Sequence, residues 1–147
     1  MHDFPLGRLI AVVARLWRNE LDNRLQPHGL SQARYVLLVH LAEADGPIAQ
    51  NDLAERAGIR GPTLVRHLDQ LEASGLVQRQ DFRDDRRVKH VLLTVAGRER
   101  CAEAGEVAMK LREELVAPFT PDQTMQTEKT LQGLVEQLET IRAGAGQ

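Results

Sequence analysis

The sequence predicts a mainly α-helical chain with six helices and a small β hairpin, on three observations. Apolar residues recur at three- and four-residue intervals through most of the chain, the period of a helix with one buried face. Glycine and proline punctuation, at Pro27-His28-Gly29, Asp45-Gly46-Pro47, Gly58, Gly75 and Pro118, cuts that pattern into segments. Only between Leu76 and Leu93 does the period shorten to alternation, with Val91 and Leu93 on one side and His90 on the other.

The first helix is expected over residues 6–25, where Leu6, Leu9, Ile10, Val13, Leu16, Trp17, Leu21 and Leu25 form an apolar stripe between arginines. Ser31 offers an N-cap oxygen to a second helix, with Tyr35, Leu38, Val39 and Leu41 facing inward. Asn51 is expected to cap a short third helix through Arg56, and Gly58 supplies a turn that tolerates no β-carbon easily. Gly61-Pro62 opens the fourth, because proline in the first turn gives up only an amide that has no partner there. Its inner face is Leu64, Leu68 and Leu71, which leaves Thr63, Arg66, His67 and Gln70 pointing outward together, and Gly75 stops it.

Two strands follow, residues 76–80 and 88–93, joined by a charged stretch, Asp81 to Arg87, that lacks the Asn-Gly of a minimal turn and predicts a longer loop. Thr94 can cap a fifth helix that breaks at Pro118. Thr120-Pro121 opens the sixth, lined by Leu131, Leu134, Val135, Leu138 and Ile141, with Ala143 to Gln147 expected to fray.

With 147 residues, 42% of them hydrophobic, the chain can bury one sizeable core and is expected to form a single domain over 1–147. Net charge is −2, spread as 5 basic against 5 acidic residues over 1–49, 8 against 7 over 50–93 and 6 against 9 over 94–147. Any affinity for nucleic acid must therefore come from local placement of arginines and from doubling it in a dimer. A lone cysteine, Cys101, excludes an intramolecular disulfide and a multi-cysteine zinc site, and it suits a reducing cytoplasm. The opening residues lack a basic n-region, and Gly7, Arg8 and Arg15 interrupt the first apolar run, so neither a signal peptide nor a membrane span is expected there, and no membrane partner. Scattered histidines and the lack of a nucleophile-base or paired-carboxylate arrangement predict no enzyme, no catalytic residue, no metal and no cofactor.

Two short helices about a turn, then a hairpin, is the arrangement that sets one helix in the major groove of DNA with a wing beside it. Arg66 is the candidate for a base edge, since its planar fork can donate twice to guanine O6 and N7. His67 and Gln70 can meet a base or a phosphate, and Thr63 a thymine methyl; the alternative for Arg66 is a helix-surface ion pair with Asp69 or the neighbours of Gln70. On the wing, Arg83, Arg86 and Arg87 can reach a narrow minor groove, with Asp84 orienting Arg86; the alternative is a solvated charged loop.

The residues Leu64-Val65-Arg66, Leu68-Asp69-Gln70-Leu71-Glu72, Gly75-Leu76-Val77, Arg79-Gln80 and Asp85-Arg86-Arg87, followed by Leu93-Thr94, resemble the MarR family of winged helix-turn-helix regulators, in its SlyA-like branch. Pro5-Leu6-Gly7 and Leu16-Trp17-Arg18 extend the resemblance over nearly the whole chain. It implies an interlocked homodimer, with residues 5–28 and 95–142 as dimerisation helices and 31–93 as a DNA-binding lobe, acting on double-stranded palindromic operators. It places Pro62 and Arg66 at major-groove contacts, Arg86 at the minor groove, and Ser31 and Gln32 at phosphates. It also implies release by a small phenolic or aromatic carboxylate effector, whose pocket wall here would include Arg15, Arg18 and Tyr35; the alternative puts those arginines in ion pairs and Tyr35 in the core. Cys101 is expected to be a buried thiol rather than a redox sensor. The competing function is a nucleoid-like or anti-silencing dimer with little sequence preference.

Overall fold

The computed structural model describes residues 5–82 and 85–146, and for residues 82, 85 and 86 it describes the backbone alone. Six helices and a three-stranded antiparallel sheet follow one another as α1 (Pro5–Leu25), a single 3-10 turn (Gln26–His28), α2 (Gln32–Glu43), β1 (Ile48–Ala49), α3 (Gln50–Ala57), α4 (Gly61–Ala73), β2 (Val77–Phe82), β3 (Asp85–Leu93), α5 (Val95–Val116) and α6 (Pro121–Ala145). The mainly α fold with a small β wing is thus present, and the chain packs as two compact units divided within α5, one up to Ala108 and one from Met109.

The core of the first unit is aliphatic. Leu25, Leu37, Leu38, Leu53, Leu64, Leu68 and Val91 are fully enclosed, and no polar or charged residue is buried among the described residues. Removing each such leucine from water contributes about 1.5–3 kcal/mol, and the 3.6-residue period delivers them from α2, α3 and α4 to one centre. Ser31 caps α2 as expected, its Oγ accepting from the Arg34 amide at 3.2 Å. The sheet order is β1-β3-β2, with Ile48 paired to Val91 and Ala49 to His90 on one side of β3, and Val77 to Leu93 on the other.

Three local expectations are corrected. Asn51 does not cap α3: the helix begins at Gln50, and Ala49 is its N-cap without a side-chain bond. The cause is β1, whose pairing with β3 delivers the chain into the helix two residues early. The long loop expected over residues 81–87 is mostly strand, since β2 runs to Phe82 and β3 starts at Asp85, with Asp81 opposite Lys89 and their side chains in an ion pair. A two-stranded ribbon needs no apolar face, so charged residues continue the pairing where alternation of hydrophobicity stops. Finally, α6 continues to Ala145 instead of fraying from Ala143, as the strong helix preference of alanine allows.

One joint ties α4, the hairpin and α5 together. The Thr94 hydroxyl donates to the Gly75 carbonyl at 2.6 Å and accepts from the Gly97 amide at 3.0 Å, so it caps α5 while gripping the end of α4. The Thr94 amide donates to the Leu76 carbonyl at 3.1 Å. Gly75 itself has φ +74, a left-handed turn that favours glycine. Arg100, two turns into the same helix, donates to the His28 carbonyl at 2.5 Å and fixes α5 against the turn after α1.

The second unit holds the end of α5 and all of α6. A capping box starts α6, Thr120 and Gln123 each satisfying the other's amide, and Arg112 pairs with Glu128 at 2.8 Å. Leu131, Val135, Leu138 and Ile141 stand exposed along this helix, as Leu6, Leu9, Ile10, Val13 and Leu16 do along α1 in the first unit.

Candidate nucleic-acid interface

The helix-turn-helix is built by α3 and α4. Gly58 ends α3 at φ +65, its amide turning back to the Ala54 and Glu55 carbonyls, and the Ile59 amide bonds to Ala54 at 3.1 Å. Arg60 is the N-cap of α4, and Pro62 lies in its first turn as expected. Leu64, Leu68 and Leu71 are buried beneath the helix, while Pro62, Arg66 and Gln70 are exposed on its far side and Thr63 is half-buried at the edge.

His67 departs from the outward set. It sits one turn before buried Leu71 on the same edge of the helix, so it is half-buried, and its Nδ1 is enclosed without a hydrogen-bond partner. Burial, together with the nearby cations Arg34 and Arg66, pushes its imidazole below the ordinary range. Arg34, in the first turn of α2, thus stands near His67 of α4, a position not singled out from the sequence. Its Nε donates to Ser31 Oγ at 3.2 Å.

The first turn of α2 is already partly used. Asp22 of α1 accepts from the Gln32 amide at 2.6 Å, and Ser31 Oγ is engaged by Arg34.

On the hairpin, Arg87 is exposed on β3. Arg83 and Asp84 lie outside the described residues, as does the side chain of Arg86. The expected alternative of an Arg66 to Asp69 pair is not adopted: Asp69 Oδ1 is held by Arg79 of β2 at 2.7 Å, and Glu72 by the same guanidinium at 3.0 Å. Arg79 was read from the sequence only as part of a motif, and its role is legible in strand alternation, two residues after buried Val77.

Arg15 and Arg18 are exposed on α1, and Tyr35 is half-buried on α2 with its hydroxyl 3.7 Å from where a β-carbon at Gly105 would lie. Burial raises the Tyr35 phenol, with Cys101 and Glu43 adding to it. The Cys101 thiol is raised by burial and then by Glu43, against a smaller opposing effect of Arg98, which keeps it protonated and poorly nucleophilic. A cavity of about 420 Å³ beside β1 is lined by Glu43, Asp45 and Asp52 with Arg56 and His90, an acidic wall that disfavours a carboxylate ligand. Among the described residues no cluster of three or more His, Cys, Asp or Glu could hold a metal, and no helix is long and apolar enough to cross a membrane.

A sequence profile of the MarR family matches residues 28–88, the span from the end of α1 to the hairpin. The transcriptional regulator PA3341 is 38% identical, with 92% of this chain and 98% of that one covered and a TM-score of 0.80. Wild-type MarR from E. coli in its apo form is 28% identical over 90% of this chain and 98% of that one, with a TM-score of 0.79. A mutant E. coli MarR complexed with operator DNA is 28% identical over 89% of this chain and 94% of that one, at a TM-score of 0.80. With the helix-turn-helix, the hairpin and these similarities in agreement, the chain belongs to the MarR family of transcriptional regulators.

Proposed function

We propose that this protein is a homodimeric, sequence-specific DNA-binding regulator that reads a palindromic operator, with α4 in the major groove and the β2–β3 hairpin reaching the minor groove. The observation that carries the reading is α4 itself: three leucines anchor one side in the core while Arg66 and Gln70 stand exposed on the other. A relative of the same fold is complexed with operator DNA. Pro62, Thr63, Arg66 and Gln70 meet base edges or adjacent phosphates, His67 lies on the edge toward Arg34 of α2, and Arg83, Arg86 and Arg87 serve the wing, with Asp84 orienting Arg86. Ser31 and Gln32 face a phosphate. Residues 31–93 form the reading lobe, and residues 5–28 and 95–142 supply dimerisation helices, for which the exposed aliphatic stripes of α1 and α6 speak. Two-fold symmetry then sets the half-sites about one helical turn, ~10 bp, apart.

DNA selected from a random pool, then titrated against random duplex at rising salt, tests this. A selected inverted repeat bound more than tenfold tighter than random duplex supports it; two affinities that fall together within tenfold of each other would instead favour a nucleoid-like coating protein. The near-neutral helix-turn-helix and hairpin, 8 basic against 7 acidic residues over 50–93, weigh against the latter. A small phenolic or aromatic carboxylate releases the DNA, its charge met by Arg15 or Arg18 and its ring by Tyr35. Benzoate that releases the operator from the parent protein but equally from an Arg15→Gln, Arg18→Gln double variant would remove those arginines from the site. The motif residues from Leu64 to Thr94 favour the SlyA-like branch.

A further inference from the structure

Asp69 and Glu72 lie on one edge of α4, beside the face that carries Arg66 and Gln70, and both close on a single guanidinium from the adjoining strand. Arg79 Nη2 donates to Asp69 Oδ1 at 2.7 Å and to Glu72 Oε1 at 3.0 Å, and the Arg79 backbone amide donates to Glu72 Oε2 at 2.9 Å. Glu72 therefore holds both the main chain and the side chain of one residue of β2, which restrains that strand against sliding and against rotation about its own axis. The Arg79 side chain is 21% exposed, against 57% for Asp69 and 40% for Glu72, so the cation is the covered centre of the cluster. Hydrogen bonds from Arg79 hold the Glu72 carboxyl below the usual carboxylate range.

Stability alone does not account for this arrangement. Exposed ion pairs contribute little to folding, and Leu68, Leu71, Leu76 and Val77 already bury the junction between α4 and the hairpin. What the three bonds add is direction: they set the attitude of the hairpin that starts at Val77 relative to α4.

We propose that Arg79 is a positioning residue for DNA recognition, locking the wing to the recognition helix so that both reach their grooves together. This rests on the reading of α4 and the hairpin as the DNA-contacting parts.

The test is a set of full-length variants measured by fluorescence anisotropy on the selected operator and on random duplex, well below each variant's melting temperature. The decisive variant is the isosteric double change Asp69→Asn, Glu72→Gln. It removes two negative charges from a DNA-facing lobe, so electrostatics alone would strengthen binding. Positioning requires the opposite, a loss of roughly tenfold on the operator with random-duplex affinity not reduced. Arg79→Met is expected to show a similar operator loss, Arg79→Lys a smaller one, and Arg79→Met placed in the double-variant background no further loss, because Arg79 then has nothing to act through. Operator binding that is unchanged or tighter in the double variant overturns the proposal, as does a full Arg79→Met loss persisting in that background, which would make Arg79 a direct phosphate contact. If Arg66→Ala also leaves operator binding unchanged, the reading of α4 itself fails, an outcome separable from failure of Arg79 alone.

Discussion

At Gly97 the backbone of α5 passes so close to the start of the hairpin that a β-carbon would sit 2.0 Å from the Leu76 carbonyl oxygen. The obstacle is main chain fixed by its own bond to Thr94, so it cannot swing aside as a side-chain tip would. Gly97→Ala is expected to destabilise the protein by about 1–3 kcal/mol, the usual cost of overpacking, read as a lower denaturation midpoint. An unchanged or raised midpoint would mean that the joint yields. His67 makes a second residue-scale expectation. Its folded-state pKa lies below the ordinary ~6.5, so in the window just under 6.5 the unfolded chain binds a proton that the folded chain does not. Stability attributable to this group is therefore full at neutral pH and falls on acidification, until the folded imidazole is itself protonated. Comparing the parent with His67→Gln between pH 7 and 5 should show a shallower acid loss in the variant; parallel curves would remove His67 as the cause. For Arg66→Ala, relaxed discrimination at one base pair per half-site is expected, worth ~1–3 kcal/mol, and selection from a random pool would reveal it.

Among the elements, α4 depends on the burial of its leucine face. Leu68 has no exposed surface, so Leu68→Ala should cost about 2–5 kcal/mol, measurable by urea unfolding, with loss of DNA binding following from loss of the folded lobe. This helix was also the most legible in the sequence: its proline start, its leucine period and its glycine stop each state a local physical rule, and all agree. His67 was misread because spacing assigns a residue to an arc of the helix and not to the width of what packs beside it; its Nδ1 is enclosed and Arg34 of α2 lies near it, and nothing within residues 61–73 reports either. The β1 strand went unseen for a related reason. Ile48 and Ala49 carry no alternation of their own, and their extended state is imposed by β3, a partner about forty residues away. The Arg79 cluster was hidden likewise, since a charged motif in sequence says nothing about which carboxylates will meet which arginine once a strand folds back on a helix.

For the molecule as a whole, the exposed aliphatic rows on α1 and α6 are the largest departure from a self-sufficient monomer. Val13 is 52% exposed and Leu138 65%, fractions that a soluble chain rarely repeats along two helices without covering them. Val13→Glu and Leu138→Glu, each introduced alone, are expected to shift sedimentation from dimer to monomer and to lower operator affinity by more than any single loss in α4. Each monomer would then hold only one half-site. A variant that sediments as a dimer while retaining affinity would exclude that face from the interface. The arrangement of α4 has a further consequence for how such proteins can diverge. Its leucines answer to the core, its Asp69 and Glu72 answer to Arg79, and Arg66 and Gln70 answer to neither. On the proposed reading of α4, a lineage could rewrite the exposed letters and acquire a new operator without renegotiating the fold or the attitude of the wing, so regulators of this shape could drift toward different genes while remaining the same machine.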